Sequence, residues 1–275
     1  MMEAHQHTDL EPIHPGSGRG QGLLKRIGSA LAALGVLIAN LGAKAKLLLV
    51  ALPKLKLFTT SASMLVSIAA YQLIFGWLFS IGFVLLLLLH ELGHVFQLRR
   101  EGVKASAPMF IPFLGAVISA KSMGDDAAAE ARVGLAGPIL GSIATLVPLG
   151  IWVATGAHFW QALAFIGFFI NLFNLVPVLP LDGGRAMAAL SPWVWLAGFA
   201  GLVAMAFVFP SPILVLILVL GGMDSWRRWR ARNTPEGRAY HRVPTRTRVL
   251  VAATYLLLVA ALAAGVSATH LPRSL

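Results

Sequence analysis

The chain of 275 residues contains no cysteine, which excludes disulfides, thiolate metal ligands and cysteine nucleophiles. Charge is also scarce. Asp, Glu, Lys and Arg make up 12% of the residues, against 57% hydrophobic ones. A soluble domain carries about 25% charged and about 45–50% apolar residues, so a soluble domain with its own core is not expected anywhere in the chain. Acidic residues are the rarer charge, 11 against 22 Lys and Arg. The basic excess is concentrated between Trp226 and Arg248, where Arg227, Arg228, Arg230, Arg232, Arg238, Arg242, Arg246 and Arg248 face a single acid, Glu236. Such a run is compatible with nucleic acid. Flanked by apolar segments, it reads instead as a cytoplasmic loop under the positive-inside rule, and no nucleic-acid partner is expected.

Long apolar runs are abundant, and several approach the roughly 20 residues that span a bilayer. The expectation is an all-α polytopic membrane protein with about six to seven transmembrane helices and the lipid bilayer as its surroundings. Residues 1–22 are polar and lack the apolar core of a signal peptide, so a disordered tail is expected there. Residues 23–57 mix Leu31, Leu34, Leu37, Ile38 and Leu41 at helical spacing with Lys25, Arg26, Lys44, Lys46, Lys54 and Lys56, the pattern of a basic amphipathic helix lying on anionic lipid. A core follows over 58–224, then the Arg-rich loop over 225–248, then a C-terminal transmembrane helix and tail over 249–275. Within the core, spans are expected near Phe58–Phe75, Leu78–Leu98, Val133–Ala154, Phe159–Pro177, Trp193–Phe209 and Ile213–Met223, and a last one near Val249–Val266. If residues 90–94 and Asp182 both lie near the cytoplasmic face and the Arg-rich loop is cytoplasmic, parity requires 193–223 to cross twice, which puts the N-terminus on the cytoplasmic side.

Residues 102–132 differ in kind. Two short apolar runs flank Pro112-Phe113-Leu114-Gly115, which reads as strand, turn, strand. Non-helical backbone at membrane depth is tolerated only against protein or a wet cavity, so a re-entrant hairpin beside a functional site is expected. Asp125, Asp126, Glu130 and Arg132 then form a polar connection. In the third span Gly134, Gly137 and Gly141 make a smooth face suited to close helix packing.

The chemistry lies in His90-Glu91-Leu92-Gly93-His94, placed directly after Phe83-Val84-Leu85-Leu86-Leu87-Leu88-Leu89. Ionisable residues at membrane depth are expensive and usually functional. Residues four apart share a helical face, so His90 and His94 can hold one metal ion with Glu91 beside it as general base. A catalytic zinc site takes three protein ligands and leaves one position open. Asp182, in Leu181-Asp182-Gly183-Gly184 after a long apolar span, is the candidate for the third. Its alternative reading is a helix N-cap. Asn171 has two readings, a bond between helices or support of the site. Arg185 either meets lipid phosphate or orients Asp182.

These residues carry a resemblance. The chain resembles the site-2 proteases, intramembrane zinc metalloproteases, through His90-Glu91-Leu92-Gly93-His94, the hairpin-like Pro108–Ser119 segment, and Asn174-Leu175-Val176-Pro177-Val178-Leu179-Pro180-Leu181-Asp182-Gly183-Gly184. The likeness covers about Phe58 to Met223. It implies one Zn2+ per chain held by His90, His94 and Asp182, with Glu91 as the base. It also implies that Asn174 engages substrate and that the hairpin, through Gly115, Ala116 and Val117, presents an edge strand to an unwound segment. The implied partners are transmembrane protein substrates. The implied place, by analogy, is a prokaryotic cell (inner) membrane. Two other readings compete: an inactive membrane adaptor that keeps the fold, and a metal transporter, which would spread its ligands along several spans.

Overall fold

The computed structural model describes residues 56–190, 192–208 and 211–270. The tail expected at 1–22 and the interfacial segment expected at 23–57 lie outside the described residues, apart from Lys56 and Leu57, which open the first helix. Helix α1 (Lys56–Phe75) and helix α2 (Trp77–Arg100) are separated by Gly76 alone. Its φ of 77° is a conformation glycine reaches without steric cost, and the chain reverses there, where the break was expected. A hairpin of β1 (Met109–Ile111) and β2 (Gly115–Val117) follows, then α3 (Ala127–Thr155) and α4 (His158–Asn174). The short α5 (Asp182–Ala186) runs into a 3-10 turn at Met187–Ala189. Then come α6 (Pro192–Val208), α7 (Pro212–Ala231), α8 (Pro235–Tyr240) and α9 (Thr245–Thr269). Among the described residues, three helices are long and apolar enough to cross a membrane, α2, α3 and α9. The apolar stretches Thr59–Phe75 and Leu196–Val208 are shorter.

Three boundaries differ from the sequence expectation, each for a local reason. Helix α3 begins at Ala127 rather than near Val133, because the Asp126 carboxylate accepts the Ala129 N–H at 2.7 Å and caps it. Glu130 and Arg132 therefore lie in its first turns and not in a connection. Helix α4 stops at Asn174 rather than Pro177. The residue before a proline is disfavoured in the α region, and Val176 holds that place. Helix α7 runs past Met223 to Ala231, through the start of the Arg-rich stretch. Arg228 sits 3.6 Å from Asp224 one turn back, and the Arg232 guanidinium lies 3.6 Å from the centre of the Trp229 ring. The Thr234 hydroxyl then caps α8 by accepting from Gly237 N at 3.0 Å.

The hairpin forms in the expected place, with Met109 opposite Val117, Phe110 opposite Ala116 and Ile111 opposite Gly115. Its β1 edge is covered by α1. The Thr60 hydroxyl donates to the Pro108 carbonyl at 2.7 Å, Phe110 N–H donates to Ser63 Oγ at 3.1 Å, and Phe113 N–H donates to the Tyr71 hydroxyl at 3.1 Å. Phe110 packs in a cluster with Tyr71, Val84 and Leu87, and Ala116 lies against it, which sets the hairpin one helical turn before His90.

Helices α3, α4, α5 and α9 share the largest core cluster, including Leu135, Phe168, Leu175, Ala186 and Leu262. A buried charge cluster ties the C-terminal elements to it. Glu130, 1% exposed, accepts a two-pronged bond from Arg228 of α7 at 2.6 and 2.8 Å and a third from the Tyr240 hydroxyl of α8 at 2.6 Å. Burial, and next the Glu130 carboxylate, hold the Tyr240 phenol above its ordinary range. Removing one partner of a buried pair leaves an uncompensated charge and costs about 3–5 kcal/mol. Arg228→Ala is therefore expected to lower the thermal midpoint of the detergent-solubilised protein far more than Arg227→Ala. The phenol pKa is raised on folding, so its contribution is complete below about pH 10 and is lost as pH rises through the folded value. Tyr240→Phe is expected to flatten the loss of stability above pH 10 in alkaline melts.

Candidate metal centre

The Leu-rich run before His90 makes α2 a continuous helix, and the helix carries His90 and His94 to the same buried face, 3% and 6% exposed. Asp182 reaches them from a separate element. After α4 ends, the chain turns through 175–181, and Asp182 opens α5, where Leu181, not Asp182, holds the cap position. The Asp182 carboxylate is turned inward. Its Oδ2 lies 3.0 Å from His90 Nε2 and 3.1 Å from His94 Nε2, and the two Nε2 atoms are 3.2 Å apart. Gly183 and Gly184 serve this approach through space rather than flexibility. Neither has a positive φ, but a Cβ on Gly183 would stand 2.1 Å from the Leu175 carbonyl oxygen, and one on Gly184 would stand 2.4 Å from Leu179 N.

The other ring nitrogens face acceptors. His94 Nδ1 is 2.8 Å from the Val133 carbonyl oxygen, and His90 Nδ1 is 2.8 Å from Asn171 Oδ1. When each Nδ1 carries the hydrogen, three lone-pair-bearing atoms converge with no proton between them, which is unfavourable unless a cation joins them. Ligands about 2.0–2.1 Å from a tetrahedral zinc stand roughly 3.3 Å from one another, close to the spacing here. His90, His94 and Asp182 thus form a group that could hold one metal ion, and two imidazoles with one carboxylate suit zinc.

Helix α3 supplies the floor. Its smooth face does more than let helices approach. A Cβ on Gly137 would overlap the His94 ring, 2.1 Å from Nε2. One on Gly134 would stand 2.8 Å from the Asp182 carbonyl oxygen, and one on Gly141 would stand 2.3 Å from Asn171 Oδ1. Gly93 of α2 in turn meets the Ala136 carbonyl oxygen, 2.3 Å from where its Cβ would be. The glycines of this seam make room for site side chains.

The remaining sequence candidates are placed as follows. Glu91 is half-buried on α2 beside the two histidines. Asn174, at the last position of α4, donates through Nδ2 to the Ile170 carbonyl at 3.1 Å. Gly115 and Ala116 are half-buried and Val117 is exposed on β2. Arg185 directs Nη1 at Met123 Sδ, 3.2 Å away. His241 of the Arg-rich stretch packs toward the Ala188 carbonyl at 3.3 Å. Sequence reasoning did not find the Val133 carbonyl, which no side-chain pattern reveals. It also missed Tyr255 of α9, whose hydroxyl donates to the Leu175 carbonyl at 2.6 Å at the start of the Asp182 loop. A phenol inside an apolar C-terminal helix was the available signal, since a buried Tyr hydroxyl needs a partner.

Comparison with known proteins covers the segments that carry His90, His94 and Asp182. The model of peptidase family M50 matches residues 78–157 and 149–218. The chain is 31% identical over 107 residues to "Zinc metalloprotease MJ0392" of Methanocaldococcus jannaschii, covering 37% of this chain and 31% of that protein. It is 32% identical over 149 residues to "Putative zinc metalloprotease Rip3" of Mycobacterium tuberculosis, covering 48% of this chain and 37% of that protein. The chain therefore spans about a third of the length of the curated relatives it matches. Gly137→Ala is expected to push the His94 ring aside. Metal content, measured by atomic absorption on the purified protein, should fall well below the wild-type value. Gly150→Ala, at a glycine with open space around its Cβ position, should leave it unchanged.

Proposed function

The chain belongs to peptidase family M50, the family of the site-2 proteases, and from that premise we propose that it is a zinc endopeptidase cleaving transmembrane segments of other membrane proteins, in regulated intramembrane proteolysis. The observation that carries this reading is the convergence of His90 Nε2, His94 Nε2 and Asp182 Oδ2 within 3.2 Å of one another at buried positions beside a half-buried glutamate. His90, His94 and Asp182 would hold one zinc ion. When bound, zinc supplies a Lewis acid for the scissile carbonyl and lowers the pKa of water to about 7.

The protein's own groups supply the rest. Glu91 takes the proton of the attacking water and delivers it to the leaving amine. A helical substrate must unwind before its carbonyls are accessible, and the hairpin provides a template for the extended form. Phe110 turns its N–H outward to Ser63, so Phe110 and Ala116 form a non-hydrogen-bonded pair, and the N–H and C=O of Ala116 point away from β1. With β1 covered by α1, the edge left unpaired among the described residues is that of Gly115, Ala116 and Val117, suited to pairing with an added strand. Asn174, whose amide nitrogen bonds the Ile170 carbonyl, turns its amide oxygen to substrate near the Asp182 loop.

The surroundings fit a bilayer. Helices α2, α3 and α9 cross it, α1, α4, α6 and α7 complete about six to seven crossings, and the exposed arginines between Arg227 and Arg248 lie on the cytoplasmic side of a prokaryotic inner membrane. The test is Glu91→Gln in reconstituted vesicles with a transmembrane reporter substrate. Loss of the base is expected to cut turnover by about 100- to 10,000-fold with zinc content unchanged. Normal cleavage by the variant overturns the mechanism. No cleavage by zinc-loaded wild type on any of a panel of transmembrane reporters favours the adaptor.

A further inference from the structure

We propose that Asn171 is a positioning residue of the metal centre, and that its amide determines which nitrogen of His90 faces the ligand cluster. The inference rests on the zinc-peptidase reading above and adds a residue to it. Asn171 lies on α4, 3% exposed, where α2, α3 and α4 meet. Its Nδ2 is 2.8 Å from the Gly167 carbonyl oxygen, and its Oδ1 is 2.8 Å from His90 Nδ1. A carbonyl oxygen can only accept, so the edge of the amide facing Gly167 must be the NH2 group. That turns the oxygen, also only an acceptor, toward His90. His90 Nδ1 must then carry a hydrogen, and a neutral imidazole has only one. Nε2 is left with its lone pair, 3.0 Å from Asp182 Oδ2 and 3.2 Å from His94 Nε2.

Without the amide oxygen the balance reverses. The hydrogen gains by moving to Nε2, where Asp182 Oδ2 stands at hydrogen-bond distance to accept it. A hydrogen there occupies the ligand position, and the ring no longer binds metal. The two histidines differ in this respect. His94 is oriented by the backbone carbonyl of Val133, which no side-chain substitution deletes. His90 depends on one side chain, deep enough that bulk water cannot replace it. The amide is also walled in. A Cβ on Gly141 would stand 2.3 Å from its oxygen, so the absence of a side chain on α3 is a condition for the contact. Groups that orient ligand histidines typically contribute about 10- to 100-fold in metal affinity. A bond that only glues helices together would affect melting and not the metal.

The experiment measures zinc affinity of the full chain in detergent by chelator competition, together with the thermal midpoint of the metal-free protein. The variants are Asn171→Leu, Asn171→Asp and Gly141→Ala. Asn171→Leu is expected to weaken zinc binding about 10- to 100-fold. Asn171→Asp, whose buried carboxyl as the acid donates its hydrogen to the Gly167 carbonyl, keeps an acceptor oxygen on His90 and should stay within about threefold of wild type. Gly141→Ala retains the amide but drives it off His90, and should weaken binding at least about tenfold. Visible bands of the Co2+-loaded protein, which report ligand geometry, should shift in Asn171→Leu and persist in Asn171→Asp. Wild-type affinity in Asn171→Leu overturns the proposal, as does an Asn171→Asp variant as weak as the leucine one. If Asn171→Leu does not fold, Gly141→Ala decides, and unchanged zinc affinity there overturns it. Wild-type protein that binds no zinc overturns the metallopeptidase reading as well, whereas zinc-binding wild type with an indifferent Asn171→Leu removes only the role of Asn171.

Discussion

Bringing two imidazoles and a carboxylate to one point inside an apolar bundle is the constraint around which the rest of this structure is arranged. Each group resists burial, and the three acceptor atoms repel one another at about 3 Å unless a cation sits among them. The protein meets this by giving the second nitrogen of each imidazole a fixed partner. One histidine donates to a backbone carbonyl, the other to an amide that is itself pinned by a carbonyl, and the aspartate is delivered by a loop held at Leu175 through the Tyr255 hydroxyl. Contacts within the protein itself therefore set the orientation of both imidazole rings.

Close approach is the second theme. The elements that carry Asp182, His94 and Asn171 approach α3 so closely that no room is left for a Cβ at Gly134, Gly137 or Gly141. In membranes small residues are usually credited with bringing helix backbones together. Here the same residues admit an imidazole ring, an amide and the backbone of the Asp182 turn. Packing and chemistry therefore share positions, and a methyl group added to the seam acts on the site directly rather than through helix separation.

The C-terminal part of the chain lies beyond the segment matched by the family model, yet it is bound into the same core. Glu130 on α3 anchors α7 and α8 through Arg228 and Tyr240, and α9 reaches the Asp182 loop through Tyr255. A single buried carboxylate thus turns part of an Arg-rich stretch from a solvated run into a structural clamp.

Local pattern determined much of this by itself. Four-residue spacing on a helix is geometric, so His90 and His94 had to share a face. An apolar helix interrupted by Gly76 had to turn there, and two short apolar runs around Pro112–Gly115 had to pair as a hairpin. Asp182 was legible as a ligand candidate because carboxylates are rare in such apolar surroundings, but only the tertiary structure showed that Leu181 holds the cap position and that the Asp182 carboxylate faces His90 and His94. Pattern could not show that Glu130 would be buried rather than solvated, because its partners lie 98 and 110 residues away. Apolar patterning also misplaced the start of α3 and the end of α7, because a side-chain cap at Asp126 sets the first and the contacts of Arg228 with Asp224 and of Arg232 with Trp229 carry the second through its arginines. The partner of each Nδ1 also depended on the fold. A backbone carbonyl leaves no mark in sequence, and Asn171 could have faced another helix, so only the packing of α2, α3 and α4 set its oxygen against His90.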